Sequence, residues 1–475
     1  MTNWSKYQQA VFDDVANGSG HTVITAVAGS GKTTTIVKAM EYVPTGCRTL
    51  FVAFNKSIAE ELKKRAPRGV EVSTLHSYGL RTITKCLGRL RIDANRVEDL
   101  IKAALGDDPK EFDMRRDLAK TVSLAKGQLA SDEADIDAIV DAFEIESAKN
   151  GERATFIQNA LKILLQCTEV QEDGRIDFDD MIWLPVVLEL RQSKFDRVFI
   201  DETQDLNRCQ IELAMRAVSE NGRICAVGDP RQAIYGFRGA DSSAVSNVVS
   251  RLQAKVLPLS VCYRCCKSVI QEAQTVVPEI EWAPDAVDGV VSDATSKRMY
   301  REAKPGDFIL SRTNGPLISI CMALLTEGRR ANIQGRDVGA SLAAFVRKSK
   351  AKTVEALRDY VETWRNNECA RLAQKRRDTT SVEDRAECIL ALSDGAKTVG
   401  EVTRRIESLF SDGDEKSRIT LSTTHKAKGL ERDRVWLLSD TYMKRPGLEE
   451  ENLYYVACTR AKKELFLVAG KRTDP

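Results

Sequence analysis

The sequence predicts an α/β protein of two domains, each built on a parallel β-sheet and each carrying a helical insertion. The first observation is that apolar runs of strand length alternate with helical patterns in both halves of the chain, which favours parallel sheets. The second is that β-branched runs vanish in two stretches, where charged helical patterns replace them. In the first half, the predicted strands are residues 21–28, 49–54, 195–200 and 223–227.

Strand-like runs return in the second half and predict the second sheet. They lie at residues 256–259, 307–310, 419–421, 435–438 and 464–468. The first domain is therefore predicted to comprise residues 1–85 and 171–255, with an insertion at 86–170. The second is predicted to comprise residues 256–336 and 411–475, with an insertion at 337–410.

Composition limits the classes of function. The chain has 475 residues and a formal net charge of only +2, from 71 basic and 69 acidic residues. It is therefore not a uniformly basic nucleic-acid coat, and any such binding must use a local groove. No apolar run approaches the roughly 18 residues of a membrane span. Because the first ten residues are polar and lack the apolar core of a signal peptide, we expect a cytoplasmic protein.

Twelve cysteines are scattered along the chain, often within apolar runs. Such a pattern in a chain of this length indicates reduced core residues rather than a disulfide framework. Cys262, Cys265 and Cys266 form one cluster with a C-x-x-C spacing. A zinc site needs about four ligands, but the chain has no second C-x-x-C and only three histidines. Buried thiols are therefore the preferred interpretation.

A glycine-rich segment, AVAGSGKTT at residues 26–34, lies between a predicted strand and a predicted helix at 34–41. Glycines at these positions let backbone N–H groups face a phosphate, and the start of the helix adds positive dipole. The lysine would reach the terminal phosphates and the threonine after it would ligate Mg²⁺. The strict pattern has a glycine where Ala26 stands. The predicted nucleotide-binding residues of this loop are Ala28, Gly29, Ser30, Gly31, Lys32, Thr33 and Thr34.

Two acidic residues follow a second buried strand in the segment VFIDETQD at residues 198–205. Asp201 at the tip of the strand is placed to hold Mg²⁺ together with Thr33, and Glu202 to orient the attacking water. Adjacent acids alone are usually solvated loop charges. Combined with the apolar strand and the upstream phosphate loop, they predict a nucleoside triphosphatase.

Several further segments resemble the motifs of superfamily 1 helicases of the UvrD/Rep/PcrA group, in the same order along the chain. DETQD resembles the group's DExxD box, and GDPRQAIYGFRGA at 228–240 resembles its third motif, with Phe237 in place of the usual tryptophan. Asn452 stands in the sixth motif where arginine is frequent. The remaining matches are residues 54–56, TLHS at 74–77, DFDDM at 177–181, the pair Tyr263 and Arg264, STTHKAKGLE at 422–431 and EEENLYYVACTRA at 449–461.

The resemblance implies two RecA-like domains that bind ATP and single-stranded DNA across their cleft. It implies that Gln8 reads the adenine edge, with Gln9 as an alternative register, and that Tyr263 stacks on the adenine. It places Gln232 at the γ-phosphate and Glu431 near the sugar and triphosphate. The implied cofactors are ATP and Mg²⁺, and the implied catalytic residues are Lys32, Asp201, Glu202, Gln232 and the two arginine fingers Arg264 and Arg460.

The resemblance also implies a path for single-stranded DNA. Exposed aromatic side chains suit a single strand because every base offers a π face, and lysine or arginine would neutralise phosphates. The basic segment at residues 347–377 is either a duplex contact or a solvated helix face. The predicted DNA-binding residues are Phe54, Asn55, Lys56, Thr74, His76, Tyr235, Phe237, Arg238, Thr423, His425 and Lys426.

The expected function is that of an ATP-dependent DNA helicase or translocase that moves 3′ to 5′ on single strands and at junctions of single-stranded and duplex DNA. A translocase that strips proteins without unwinding shares every motif, and an RNA-directed motor of the same superfamily is a further alternative. An inactive scaffold is disfavoured by the complete catalytic set, and a nuclease fusion by the length that follows Arg460. Repair, replication, recombination and mobile-element roles all remain open.

Overall fold

The fold is described from a computed structural model, which covers residues 4–106, 112–143, 145, 153–234, 244–374, 379–410, 417–442 and 447–469. The chain divides into two compact units, Met1–Ser260 and Val261–Pro475. Each contains a six-stranded sheet in which every pairing is parallel. The predicted α/β class with two parallel-sheet domains is therefore confirmed. Within the described ranges, no helix has the length and apolar character that crossing a bilayer requires.

The sheet of the first unit has the strand order β3-β2-β6-β7-β1-β8. A separate two-stranded ladder joins β4 to β5. Because all six main strands run the same way, the loops that follow β1, β6 and β7 emerge at one edge of the sheet. The strands are β1 (Thr22–Ala26), β2 (Thr49–Ala53), β3 (Val70–Thr74), β4 (Arg91–Ile92), β5 (Arg175–Ile176), β6 (Phe195–Ile200), β7 (Val218–Gly228) and β8 (Lys255–Leu259).

Helices cover both faces of this sheet, since alternate residues of each strand point to opposite sides. Phe51 of β2 packs in a core with α1, α2 and α3, whereas its neighbours Leu50 and Val52 pack in another core with α4. The helices are α1 (Lys6–Asn17), α2 (Lys32–Ala39), α3 (Lys56–Arg65), α4 (Leu75–Leu87), α5 (Arg96–Leu105), α6 (Phe112–Gln128), α7 (Glu133–Ala142), α8 (Arg153–Gln166), α9 (Val170–Asp173), α10 (Asp180–Val187), α11 (Arg208–Met215) and α12 (Ala244–Leu252).

Helices α5 to α8 form the predicted first insertion and share their apolar core with α4 and α10. Four buried charges tie the insertion to the start of α10 and the residues just before it. Arg96 Nη1 lies 2.7 Å from Asp180 Oδ2, and Lys126 Nζ lies 2.6 Å from Asp177 Oδ2 and 2.8 Å from Asp180 Oδ1. A buried charge is tolerated only when it is paired, so this network fixes the DFDDM segment against the insertion.

One strand prediction is wrong. Residues 256–259 were predicted to open the second domain, but β8 pairs with β1 in the first sheet, with Val23 opposite Val256 and Ile24 opposite Leu257. The physical reason is that β8 returns directly from α12, which also packs on the first sheet. The second unit therefore begins after this strand, at Val261.

The sheet of the second unit has the order β11-β16-β15-β12-β14-β13, and β9 pairs with β10 beside it. Strands β11 and β13 extend the sheet beyond the predicted strands. The strands are β9 (Val261–Cys262), β10 (Glu281–Trp282), β11 (Val290–Thr295), β12 (Phe308–Ser311), β13 (Ala331–Ile333), β14 (Ile419–Thr423), β15 (Arg432–Leu438) and β16 (Ala461–Ala469).

The predicted second insertion is helical in the structure. Its apolar side chains belong to the same core as those on one face of the sheet. It comprises α16 to α19, which lie between β13 and β14. The helices of the unit are α13 (Lys267–Ala273), α14 (Ser296–Glu302), α15 (Gly315–Thr326), α16 (Arg336–Lys348), α17 (Val354–Gln374), α18 (Thr380–Ser393), α19 (Val399–Leu409), α20 (Thr424–Ala427) and α21 (Leu448–Cys458).

Candidate functional site

The glycine-rich loop connects β1 to α2, as predicted from its sequence. Gly29 and Gly31 have φ angles of 68° and 75°, a region that residues with a Cβ rarely adopt. The loop therefore turns tightly into α2, which begins at Lys32. Ser30 is buried, and its hydroxyl has no hydrogen-bond partner within the described parts of the chain. Backbone N–H groups at a helix start and an unsatisfied hydroxyl both fit a phosphate.

Lys32 lies beside three carboxylates. Its Nζ is 3.3 Å from Glu202 Oε2, and both side chains are largely shielded from solvent. Burial opposes the charge of the ammonium, but the carboxylates of Glu202 and Asp229 outweigh this effect and raise the pKa of Lys32. The lysine is therefore protonated at neutral pH and holds Glu202 by an ion pair.

Thr33 and Asp201 meet at the same edge of the sheet. The Thr33 hydroxyl donates to Asp201 Oδ2 at 3.2 Å, and Asp201 is buried at the end of β6. Burial raises the pKa of Asp201 to about 7, and the negative charge of Glu202 adds to the shift. A cation beside this carboxylate would relieve its desolvation. A hydroxyl and a carboxylate also fit Mg²⁺, which commonly takes one or two protein oxygens and the phosphates of a nucleotide.

A chain of hydrogen bonds connects Glu202 to Gln232. Gln204 Nε2 donates to Glu202 Oε2 at 2.5 Å, and Gln204 Oε1 accepts from the backbone N–H of Asp229 at 3.0 Å. Asp229 Oδ2 accepts in turn from Gln232 Nε2 at 2.6 Å. Glu202 has a φ of 50°, which is strained for a residue with a side chain. The predicted DETQD motif contains Gln204, but sequence analysis did not select Gln204 as a site residue. The sequence feature that marks the bridge is an amide side chain two residues after Glu202.

Gln8, rather than Gln9, lies at the glycine-rich loop. Its side chain is buried, donates to Thr35 Oγ1 at 3.0 Å and accepts from the backbone of Ser5. A Cβ added at Gly31 would be 3.9 Å from Gln8 Nε2. Gln9 Nε2 instead donates to the carbonyl of Trp4 at the exposed surface.

The DNA-binding residues predicted in the first unit follow the carboxyl ends of β2 and β3. Phe54 is exposed, and the side chain of Lys56 is 89% exposed. Asn55 and Thr74 cap α3 and α4 by accepting from the backbones of Ile58 and Ser77, so their side chains also hold the helix starts. Burial lowers the pKa of His76. The remaining three predictions of this unit, Tyr235, Phe237 and Arg238, lie outside the described residues.

In the second unit, Arg264, Glu431 and Arg460 gather at the amino ends of β15 and β16. Arg264 Nε forms an ion pair with Glu431 Oε2, and Glu431 Oε1 lies 3.0 Å from Lys462 Nζ. Burial works against the charge of Glu431, but Arg264 and then Lys462 outweigh it, so the pKa of Glu431 lies below its usual value. Lys462 had not been predicted as a site residue.

Arg460 is buried, with 1% of its surface exposed, and its guanidinium donates to the carbonyls of Val456 and Leu430 at 2.8 and 3.2 Å. Burial lowers the pKa of Arg460 to about 10, and the neighbouring charge of Arg264 contributes. The group is still charged at neutral pH. Its charge is solvated by main-chain oxygens, and the neighbouring Arg264 is paired with Glu431.

The DNA-binding residues predicted in the second unit lie at the opposite end of its sheet from Arg460. Thr423 ends β14, and His425 and Lys426 follow it on α20. Lys426 Nζ forms an ion pair with Asp337 at 2.7 Å. Tyr263, next to Arg264, is 44% exposed. The second unit therefore separates its predicted nucleotide residues from its predicted DNA residues by the length of the strands.

The cysteine cluster, adjacent in sequence to Tyr263 and Arg264, is buried. The three thiols of Cys262, Cys265 and Cys266 are free and buried, and Cys265 Sγ lies 3.7 Å from the carbonyl of Thr459. In the portion of the chain that the structure describes, no group of three or more His, Cys, Asp and Glu residues is arranged to hold a metal ion.

Comparison with known proteins identifies a family. The model of the UvrD/REP helicase N-terminal domain matches residues 7–253, and that of the UvrD-like helicase C-terminal domain matches residues 322–472. The chain is 25% identical to the ATP-dependent DNA helicase PcrA of Bacillus subtilis, across 96% of the chain and 82% of that protein.

The chain covers a smaller share of two other relatives. The chain is 26% identical to F-box DNA helicase protein 1 of Schizosaccharomyces pombe, across 94% of the chain and 55% of that protein. It is 27% identical to PcrA of Staphylococcus aureus, across 55% of the chain and 38% of that protein. The chain thus covers about half or less of these two relatives. Since the N-terminal family model alone spans more than half of the chain, the chain belongs to the UvrD/REP family of helicases.

Proposed function

We propose that this chain is an ATP-dependent motor that moves 3′ to 5′ on single-stranded DNA and unwinds duplexes at junctions with single strands. The observation that carries the proposal is the arrangement at the carboxyl edge of the first sheet. There the phosphate loop, the Thr33–Asp201 pair and the Lys32–Glu202 ion pair lie together. The names of the relatives, all DNA helicases, support DNA as the polymer.

In the proposed reaction, the terminal phosphates of ATP bind to Lys32 in place of the Glu202 carboxylate. Released from the lysine, Glu202 accepts a hydrogen bond from the water that attacks the γ-phosphate, as a carboxylate at this position does in phosphoryl transfer. Thr33 and Asp201 would hold Mg²⁺, which supplies positive charge to the phosphate oxygens. Gln232, held by Asp229 at 2.6 Å, is proposed to face the γ-phosphate.

The second unit is proposed to supply cationic groups. Arg264 and Arg460 would stabilise the charge that develops on the transferred phosphoryl group, while Tyr263 would stack on the adenine. The support for this role is that Arg264 and Arg460 lie close together in the second unit, where the charge of Arg264 contributes to the lowered pKa of the buried Arg460. We propose that hydrolysis changes how the two units close on each other, and that this change drives movement along DNA.

The experiment that tests the proposal is a strand-displacement assay on duplexes with either a 3′ or a 5′ single-stranded tail, with and without ATP. We expect displacement of the 3′-tailed duplex only, and only with ATP. Removal of a protein roadblock without displacement would favour the non-unwinding translocase. Preference for an RNA tail, or for the 5′ tail, would contradict the proposal.

A further inference from the structure

A basic cleft lies at the amino edge of the first sheet, on the side opposite the phosphate loop. Its walls are the carboxyl-terminal half of α4 and the loop at residues 188–194, which leads into β6. The cleft has a volume of about 320 Å³. Three cations line it, namely Arg81 and Lys85 of α4 and Arg191 of the loop.

The charge of the cleft is not balanced by its own side chains. Arg81 forms an ion pair with Glu71, the one acidic residue of the lining. Lys85 and Arg191 are exposed, and the structure gives neither side chain an ion-pair partner among the described residues. The lining therefore carries a net charge of about +2 at neutral pH. Such a concave basic surface attracts an anion with repeating charges.

The loop that presents Arg191 is held in place rather than loosely attached. The Tyr78 hydroxyl donates to the carbonyl of Ser193 at 2.6 Å, and Cys86 Sγ lies 3.6 Å from the carbonyl of Arg191. Glu189 has a φ of 49°, a conformation that persists only where the surroundings impose it. Both contacts come from α4, so the two walls of the cleft are fixed to each other.

A buried hydrogen-bond donor lies next to this wall. Gln192, between Arg191 and Ser193, is buried, and its amide nitrogen has no hydrogen-bond partner in the described part of the chain. Its side-chain amide lies 3.4 Å from the Tyr78 hydroxyl, whose hydrogen is donated to the carbonyl of Ser193. Gln192 is not among the residues that line the cleft, and its contact with Tyr78 adds to the attachment of the loop to α4.

One helix links the cleft to the predicted DNA path. α4 begins immediately after Thr74, carries His76 in its first turn and carries Arg81 and Lys85 toward its other end. Its 13 residues span about 20 Å at roughly 1.5 Å per residue. A DNA strand that contacts the start of α4 therefore needs only a short further length to reach the cleft.

We propose that this cleft binds the phosphodiester backbone of single-stranded DNA beyond the segment that contacts Thr74 and His76. The proposal rests on the proposed function, because it assumes that DNA occupies the start of α4. Lys85 and Arg191 each contact a phosphate. The contact is to the backbone and carries no base preference.

The test compares a cleft variant, Lys85→Gln with Arg191→Gln, with a control variant, Lys63→Gln with Lys64→Gln. The control removes the same charge from α3, which packs on the opposite face of the sheet from α4. DNA binding is measured against salt for the shortest oligothymidylate that saturates the ATPase and for one several times longer. For the long strand, the slope of log K against log salt should become less negative by about 0.7 per lost contact, up to about 1.4.

The short strand should show no such change in the cleft variant, and the control should match the unaltered protein on both strands. Equal long-strand slopes for the cleft and control variants would overturn the proposal. Blunt duplex DNA is measured in parallel, and a loss of affinity confined to that duplex would also overturn it. This failure is distinguishable from failure of the proposed function, because the short strand would still stimulate the ATPase. An unaltered protein whose ATPase ignores DNA would instead reject the proposed function.

Cys86 offers a second measurement. It is the exposed cysteine of the described residues, and it lies beside Arg191. The long oligothymidylate should slow its modification by a maleimide, followed by mass spectrometry, whereas the short one should not. An unchanged rate of Cys86 modification in the presence of the saturating long strand would also overturn the proposal.

Discussion

Lys32 Nζ lies 3.3 Å from Glu202 Oε2, so the cation proposed to bind phosphates and the carboxylate proposed to orient water neutralise each other. Both groups are shielded from solvent, and the pKa of Lys32 is raised by the carboxylates around it. The same Glu202 oxygen also accepts from Gln204 Nε2 at 2.5 Å, so the ion pair and this hydrogen bond together fix the carboxylate. Nucleotide binding must exchange one anionic partner of Lys32 for another.

Replacing Lys32 should therefore abolish hydrolysis without unfolding the protein. Lys32→Ala removes the cation at the terminal phosphates, and we expect DNA-stimulated ATPase to fall by roughly 10² or more. Lys38→Ala is the matched control, since Lys38 lies on the same helix but pairs with Glu41 at the surface. A well-folded Lys32→Ala variant with the turnover of the control would reject the assignment of the phosphate loop.

The metal site is testable through the hydroxyl of Thr33. Thr33→Val removes one proposed ligand, so we expect the Mg²⁺ concentration that half-saturates the ATPase to rise at least about tenfold. Thr33→Ser retains the hydroxyl and should restore the requirement of the unaltered protein. EDTA should abolish activity in all three proteins, and excess Mg²⁺ should recover it. Identical Mg²⁺ curves for the valine and serine variants would exclude Thr33 as a ligand.

The two arginines of the second unit should affect turnover more than binding. Arg264→Ala and Arg460→Ala remove charge proposed to act on the transition state, so kcat should fall by roughly 10³ while nucleotide affinity changes little. Lys463→Ala provides a control, because Lys463 pairs with Asp433 at the exposed surface. Loss of nucleotide binding in step with turnover would show that the arginines are ground-state contacts only.

Two glycines, one at the contact of α4 with α10 and one in open surroundings on α19, predict substitutions with opposite effects. A Cβ at Gly79 would lie 1.9 Å from the carbonyl oxygen of Met181, so Gly79→Ala should cost about 1–3 kcal/mol of unfolding free energy. A Cβ at Gly400, in α19, would lie 3.8 Å from its nearest neighbour, Thr398 Oγ1. Gly400→Ala should therefore stabilise the protein by about 0.4–1 kcal/mol. Urea unfolding midpoints measure both, and equal shifts in one direction would contradict the packing described here.

Local sequence patterns predicted the features that depend on neighbouring residues. The glycine-rich loop and the acids after β6 were predictable because each lies within one short segment between a strand and a helix. The assignment of β8 to a sheet was not, since it depends on pairing with β1 far away in the sequence. An apolar run of strand length carries no information about which sheet it joins.

The same distinction holds within the site. Gln204 lies inside a predicted motif, yet its role as a bridge appears only when Asp229 approaches its carbonyl oxygen. Lys462 and Glu431 are separated by a strand and a helix, so their ion pair could not be read from spacing. The basic cleft was missed for the same reason, because Lys85 and Arg191 come together only through the packing of α4 against the loop before β6.

The central claim is that Glu202 exchanges its partner from Lys32 to the attacking water when nucleotide binds. The most direct measurement is single-turnover ATP hydrolysis by Glu202→Gln in the presence of DNA, alongside nucleotide affinity. We predict that the amide variant binds ATP at least as tightly as the unaltered protein, because Lys32 loses its ion pair with Glu202 and keeps only the more distant charges of Asp201 and Asp229. We also predict that its hydrolysis rate falls by roughly 10²–10⁴, since a general base is lost. Hydrolysis at the rate of the unaltered protein would contradict this account.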